Sequence, residues 1–279
     1  MGSLESKSIF VTGAASGIGK AAVLAMVREG AAVTLADILD PDGIALADEI
    51  QKNGGRAQYV HCDVSKCDQV DAAIAAAADR FGRLDAAFNN AGIEGEIAPT
   101  AECEEENWDR VLAVNLKGVW LCMRAEIRQY LKQKGGGAIV STSSVAGLVA
   151  ERGFPAYAAA KGGVIQLSRT AAVEYASHNI RINVVCPGLI ETPMGARALK
   201  RISIGAMMPD PARPQWLEAG IDGIMHWEPA GKLISRMMQP LGRSGRPEEI
   251  AAAAVWLCSD ASSFVTGQAL VVDGGMTAA

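Results

Sequence analysis

The 279-residue sequence predicts an α/β fold. We expect a doubly wound parallel sheet of about seven strands, with helices on both faces, built as one domain over residues 1–279. Three observations carry this. Short runs rich in Val, Ile and Ala alternate with longer segments of helical period, and such alternation implies parallel pairing through right-handed crossovers. The strand runs are continuously apolar rather than alternating, the pattern of strands buried on both faces. No linker divides the chain, and one α/β unit commonly reaches about 250 residues.

The elements follow in order. Ser8–Thr12 is the first strand, and an Ala-rich helix runs from Ile18 to Glu29. Ala32–Ala36 and the helix Pro41–Asn53 come next, then Ala57–His61 and the helix Gln69–Phe81. Leu84–Asn89 is the fourth strand. Helices then fill Glu104–Lys134, Ala138–Thr142 is the fifth strand, and a helix covers Phe154–Ser177. Arg181–Cys186, the helix Pro247–Leu257 and the strand Ala269–Val272 close the pattern. Pro193–Gln239 is the one long irregular stretch, and loops of that length are usually functional or disordered. Its richness in Met, Ile and Trp favours function.

Bulk properties exclude several classes. The net charge of −5 and scattered basic residues argue against a nucleic-acid partner, because phosphate contacts need clustered Lys and Arg. No apolar run approaches the ~18 residues of a membrane span, and Ser8–Val11 reads as core strand rather than signal peptide. Met1–Ser6 fits a loose acylation pattern that short sequences match by chance. The six cysteines make no CxxC pair and share no cluster with the three histidines. No metal site is expected. The chain reads as a reduced, cytoplasmic protein.

Chemistry enters where strands end, since ligands of such sheets bind beyond the carboxyl ends. Thr12-Gly13-Ala14-Ala15-Ser16-Gly17-Ile18-Gly19 joins the first strand to the first helix. Its glycines allow a tight turn and close backbone approach to a pyrophosphate. The helix start offers free N–H groups and the positive end of its dipole. The spacing is GxxxGxG, so placement after the first strand gives the turn its meaning. Asp37 ends the second strand. A carboxylate there accepts from the adenosine ribose hydroxyls and repels a 2′-phosphate, favouring NAD over NADP. Asp63 and Val64 follow the third strand, in position for the adenine. Asn89-Asn90-Ala91-Gly92 follows the fourth.

Tyr157 and Lys161 stand four apart on a helix and share a face. A nearby ammonium favours phenolate, and an oxidised nicotinamide adds a second positive charge. Such a tyrosine accepts an alcohol proton as hydride leaves the same carbon. Ser143 or Ser144, at the end of the fifth strand, is placed to orient the substrate oxygen. Asn115 is a polar residue in the apolar run Val111–Leu116. It wants a partner there, either within the core or as a water held behind Lys161.

Together these residues closely resemble the short-chain dehydrogenase/reductase family, whose fold is Rossmann-like. The resemblance rests on the TGxxxGxG turn Thr12–Gly19, Asp63, the NNAG run Asn89–Gly92 and Asn115. It continues with Ser144, Tyr157 thirteen residues later, Lys161, and Pro187-Gly188 followed by Thr192. Pro240–Arg243, Pro247–Ile250 and Val272–Gly275 match too. It implies a catalytic tetrad of Asn115, Ser144, Tyr157 and Lys161, and it selects Ser144 from the serine pair. It also implies that Lys161 bonds the nicotinamide ribose, that Pro187–Ile190 and Thr192 meet the carboxamide and a phosphate, and that the protein is a homotetramer.

The stretch between Thr192 and Pro240 departs from the family pattern in length. Residues 193–239 read either as the apolar core of a small appended subdomain or as a substrate lid, and we expect the lid, shielding hydride transfer from water. Its Met and Trp content suits an apolar ligand, so the expected substrate is a bulky secondary alcohol or ketone of cyclic, terpenoid, steroid or aromatic type. Ile93–Thr100 and Val149–Phe154 are the other expected walls. Oxidation with NAD is the favoured direction. A nucleotide-sensing or scaffolding protein on the same fold is the alternative, since fold does not imply function. An epimerase or dehydratase using the cofactor transiently is a third reading.

Overall fold

The computed structural model describes residues 2–197 and 238–278. Seven parallel strands form one sheet in the order β3-β2-β1-β4-β5-β6-β7. They are β1 (Ser8–Thr12), β2 (Ala32–Asp37), β3 (Arg56–His61), β4 (Ala86–Asn89), β5 (Gly137–Thr142), β6 (Ile180–Pro187) and β7 (Ala269–Val272). Helices α1 (Gly17–Arg28), α2 (Asp40–Lys52) and α7 (Pro247–Cys258) cover one face. Helices α3 (Cys67–Phe81), α5 (Val119–Gln133) and α6 (Pro155–Tyr175) cover the other. Both faces of the central strands are apolar because each supplies a separate core, with Val11 and Phe88 on the α1 side and Phe10 and Ile139 on the α5 side.

Strand order reverses between β1 and β4, which pair in parallel from Ile9↔Ala86 to Thr12↔Asn89. The loops leaving those two strands part to opposite sides, and the crevice between them is where such sheets bind ligands. The carboxyl ends of β1, β2, β4, β5 and β6 all open toward it.

Three expectations are refined. The fourth strand begins at Ala86 rather than Leu84. Asp85 instead caps the strand edge, accepting from Ser8 N and from Arg83. The helices expected over Glu104–Lys134 are α4 (Glu105–Leu112) and α5, joined by a π-helical stretch Ala113–Gly118. The extra residue in that turn lets Gly118 press against Val64, where a Cβ would come within 2.9 Å of Val64 Cγ2. The expected lid lies mostly outside the described residues, and only its two ends, 193–197 and 238–239, belong to them.

Arg181, near the start of β6, holds the far end of the sheet. Its guanidinium donates to Ser262 Oγ (2.9 Å), Leu257 O (3.0 Å) and Ser259 O (3.0 Å), closing the carboxyl end of α7. Replacing it by methionine (R181M) leaves those acceptors without a charged donor. The variant should lose about 2–3 kcal/mol in urea unfolding, and a loss below about 0.5 kcal/mol would show the clamp to be dispensable.

Candidate active site

A cavity of about 490 Å³ runs along the carboxyl edge of the sheet. At one end it is lined by Gly13, Ser16, Gly17 and Ile18, the turn between β1 and α1. Gly13 takes φ +63°, and a Cβ on it would stand 2.9 Å from Ala91 Cα, so only glycine fits between the two loops. Helix α1 has neither a side-chain cap on its N-terminus nor an acidic residue in its first turn. Its opening N–H groups and positive dipole end face the cavity undischarged, the donor set that a phosphate requires. By contrast α2 carries Asp40 and Asp42 in its first turn, and α7 carries Glu248 and Glu249.

Asp37 closes β2 just beyond. Its Oδ2 accepts from Ala15 N (2.9 Å), and its Oδ1 from Ile38 N (2.7 Å) and Leu39 N (3.1 Å). The carboxylate is thereby held beside the glycine turn. Among the described residues no Lys or Arg forms an ion pair with it. Asn90, Ala91 and Gly92 line the middle of the cavity. They are tied to β1 by Thr12 Oγ1, which accepts from Asn90 N (3.0 Å) and Ala91 N (3.1 Å). A dinucleotide fits this half: open helix N–H groups for its phosphates, a fixed carboxylate for a ribose, and a floor kept clear by glycine.

The other half of the cavity is built by β5 and α6. Pro155 starts α6 at its first turn, where a missing N–H breaks no helical bond, and the helix then presents Tyr157 and Lys161 to the cavity one turn apart. Lys161 is only 3% exposed. Its Nζ donates to Thr142 O at 2.8 Å, at the end of β5, and lies 5.5 Å from the Tyr157 ring centre. Burial pulls the ammonium down to about 8. Burial also pushes the Tyr157 phenol up to about 12, opposed by its hydrogen bond with Ser144 and reinforced by the carboxylates of Glu151 and Glu94. In the protein alone, desolvation is the largest influence on the phenol, and it opposes the ionisation that the sequence leads one to expect.

The structure separates the paired serines. Ser143 Oγ donates to Lys161 O (2.8 Å), a structural bond across the β5–α6 corner. Ser144 faces Tyr157, and its Oγ accepts from Ala146 N at 3.2 Å. Asn115 is fully buried within the π-helical stretch. Its Oδ1 accepts from Ile93 N (2.8 Å) and its Nδ2 donates to Ile93 O (2.7 Å). The amide is thus paired with the chain just after Gly92. Gly92 bridges the two groups: a Cβ there would stand 3.2 Å from Asn115 Oδ1 and 3.6 Å from Lys161 Nζ.

Pro187, Gly188, Ile190 and Thr192 line the cavity beyond Tyr157. Gly19, Asp37, Asp63, Val64 and Asn115 stand behind the lining rather than on it. Asp63 Oδ1 accepts from Ser65 N (2.9 Å). Val64 is 6% exposed and packs in the core. The cavity also gathers Glu94 and Glu151 from the two expected walls, Met194 and Arg197 from the near end of the expected lid, and Leu39 and Met276, which no sequence motif singles out. Leu39 could have been found two residues beyond Asp37. Met276 follows a glycine pair and has no local signal. Among the described residues no group of three or more His, Cys, Asp or Glu gathers for a metal, and no helix is long and apolar enough to cross a membrane.

Comparison with known proteins agrees with this geometry. Residues 7–202 match the short chain dehydrogenase family model, and residues 220–277 match a second model described as enoyl-(acyl carrier protein) reductase. The chain is 39% identical over 278 residues to a 2,5-dichloro-2,5-cyclohexadiene-1,4-diol dehydrogenase of Sphingobium indicum, covering 100% of both chains. It is 38% identical to a cyclohexanol dehydrogenase of an Acinetobacter species, covering 98% of this chain and 96% of that one. A crystal structure of levodione reductase superposes with a TM-score of 0.86 at 33% identity, covering 99% of each chain. The chain belongs to the short-chain dehydrogenase/reductase family of oxidoreductases.

Proposed function

We propose that the protein is an NAD-dependent dehydrogenase that oxidises a secondary ring alcohol to its ketone. The observation that carries this reading is the convergence of Tyr157, Ser144 and Lys161 on one cavity whose other end is an open helix N-terminus. When bound, the nicotinamide supplies the hydride acceptor. Tyr157, as phenolate, takes the hydroxyl proton of the substrate. Ser144 holds the substrate oxygen beside it. Lys161 stands behind with its charge to lower the phenol, and binds the nicotinamide ribose. Asn115, through Ile93, fixes the wall that keeps Gly92 against Lys161. Asp37 and Asp63 with Val64 hold the adenosine, Asn90–Gly92 and the Gly13–Gly19 turn the pyrophosphate region, and Pro187, Gly188, Ile190 and Thr192 the nicotinamide side.

A ring alcohol is supported by the apolar lining, Val145, Phe154, Leu189, Met194, Met238 and Met276, and by relatives whose names describe dehydrogenases of cyclic alcohols. In this reading residues 193–239 close the single domain as a lid. Asp37 supports NAD, since a carboxylate held by three N–H groups repels a 2′-phosphate. The reading also includes a cytoplasmic location and a homotetramer. The oligomer is supported by the apolar side chains Trp108, Trp120, Val173 and Phe264, which stand exposed.

Removing the phenol hydroxyl (Tyr157→Phe) should lower kcat/KM for cyclohexanol about 10³-fold with folding intact, as read by NADH formation. Unchanged turnover would remove Tyr157 from the reaction. Asp37→Ala should raise the KM for NAD about tenfold while improving the use of NADP. An unaltered NAD/NADP ratio would refute the role of Asp37. Oxidation should rise with pH as Tyr157 ionises, and Lys161→Met should move that limb to higher pH, because a cation that favours phenolate is gone. A limb left in place would show that Lys161 does not tune the phenol.

A further inference from the structure

Beside the end of β4, under α5, lies a carboxyl group that the proposed reaction does not use. Glu126, on α5, has no exposed surface. Its Oε2 accepts from Asn89 Nδ2 at 3.0 Å. Its Oε1 and the Asn89 Oδ1 are both buried without a hydrogen-bond partner, as is Ser141 Oγ on the neighbouring strand. An ionised carboxylate sealed away from water with a single neutral donor is very costly. The amide oxygen beside it is an acceptor lacking a donor, and such a group costs about as much as a lost hydrogen bond. One proton on Glu126 relieves both penalties. Ser141 cannot serve instead, since its hydroxyl has no acceptor in reach. Turning the Asn89 amide over would set its carbonyl against Oε2, and that arrangement also calls for a proton on Glu126.

We propose that Glu126 is held as the neutral acid and donates to Asn89 Oδ1 while accepting from Asn89 Nδ2, and that this reciprocal pair is a positioning device for the cofactor floor. Asn89 is the last residue of β4, and Asn90–Gly92, which line the cavity, follow it directly. The pair thus anchors that turn from below, while Thr12 holds it from the side. The surroundings agree. Burial pushes Glu126 up to about 8, against the lowering effect of the Asn89 bond. The titratable groups that feel it are Cys122 and Tyr130 on its own helix and Cys258 on α7, each raised by burial, and none is cationic. An acid raised on folding contributes stability that is full below its ordinary value of 4.5 and falls away as pH climbs through about 8.

The protonation is independent of the proposed activity, whereas its effect on cofactor affinity rests on that reading. The test uses the full chain without cofactor, then titrated with NADH. Infrared spectra at pH 7 should show a protonated-carboxyl carbonyl band in the wild type that is missing in Glu126→Gln. Glutamine keeps the reciprocal pairing, so NADH affinity in that variant should stay within about twofold, and its stability should lose the decline between about pH 5 and pH 8. Glu126→Leu keeps the volume but strands the Asn89 amide, and should weaken NADH binding about tenfold. No such band in the wild type would overturn the neutral acid. A folded Glu126→Leu protein that binds NADH as tightly as wild type would overturn the positioning role. Should the leucine variant not fold, the band, and the affinity and pH profile of Glu126→Gln, decide.

Discussion

The proposed catalytic half depends on a lysine placed where a charge is least welcome. Lys161 is sunk between α6 and the end of β5, and one hydrogen bond to Thr142 O accounts for its head group. Burial drags the ammonium down and, one helical turn away, pushes the Tyr157 phenol up. Both shifts oppose the ion pair of phenolate and ammonium that proton transfer needs. Desolvation therefore keeps the phenol protonated, and a further positive charge beside it tips it toward phenolate. Charge supplied by an oxidised nicotinamide fits that demand, because the same low-dielectric surroundings that penalise a lone charge strengthen an attraction between opposite ones.

The sheet makes this arrangement rigid. β4 and β5 are neighbours, and their ends carry Asn89–Gly92 and Thr142–Ser144 to one edge. α6 then crosses beside them, locked by Ser143 Oγ to Lys161 O. The π-helical turn serves the same end from the other direction. It buries Asn115 and lets its amide clasp Ile93 on both backbone atoms, so the wall after Gly92 cannot drift from Lys161. Extra residues of this kind inside helices recur at functional sites. Here the cost of a distorted helix is offset by a wall held from two sides.

Much of the fold is legible in the amino-acid sequence. Seven apolar runs alternating with helical period are a local signal, and each contains a strand, the fourth starting two residues late. The glycine turn is legible because φ > 0 and close backbone approach restrict the residue type at Gly13. The Tyr157–Lys161 pair is legible because four residues make one helical turn. What the sequence obscures are events decided between segments. The break at Ala113–Gly118 comes from Asn115 meeting Ile93 and Gly118 meeting Val64, contacts between residues far apart in the chain or on other elements. Ser143 and Ser144 are chemically identical in sequence, and only packing against α6 bonds the first to Lys161 O and sets the second against Tyr157.

By itself, then, the sequence determined the layering, the strand positions and the residue types offered at each strand end, because period, apolarity and glycine are local properties of the chain. Tertiary structure decided which of those residues meet. It brought Glu94 and Glu151 to the tyrosine, set Asp63 and Val64 behind the cavity lining, and joined Glu126 to Asn89 across the helix–sheet interface. Burial is a collective property of packed layers. The ionisation of Tyr157, Lys161 and Glu126 follows from burial, and so it belongs to the fold rather than to any motif.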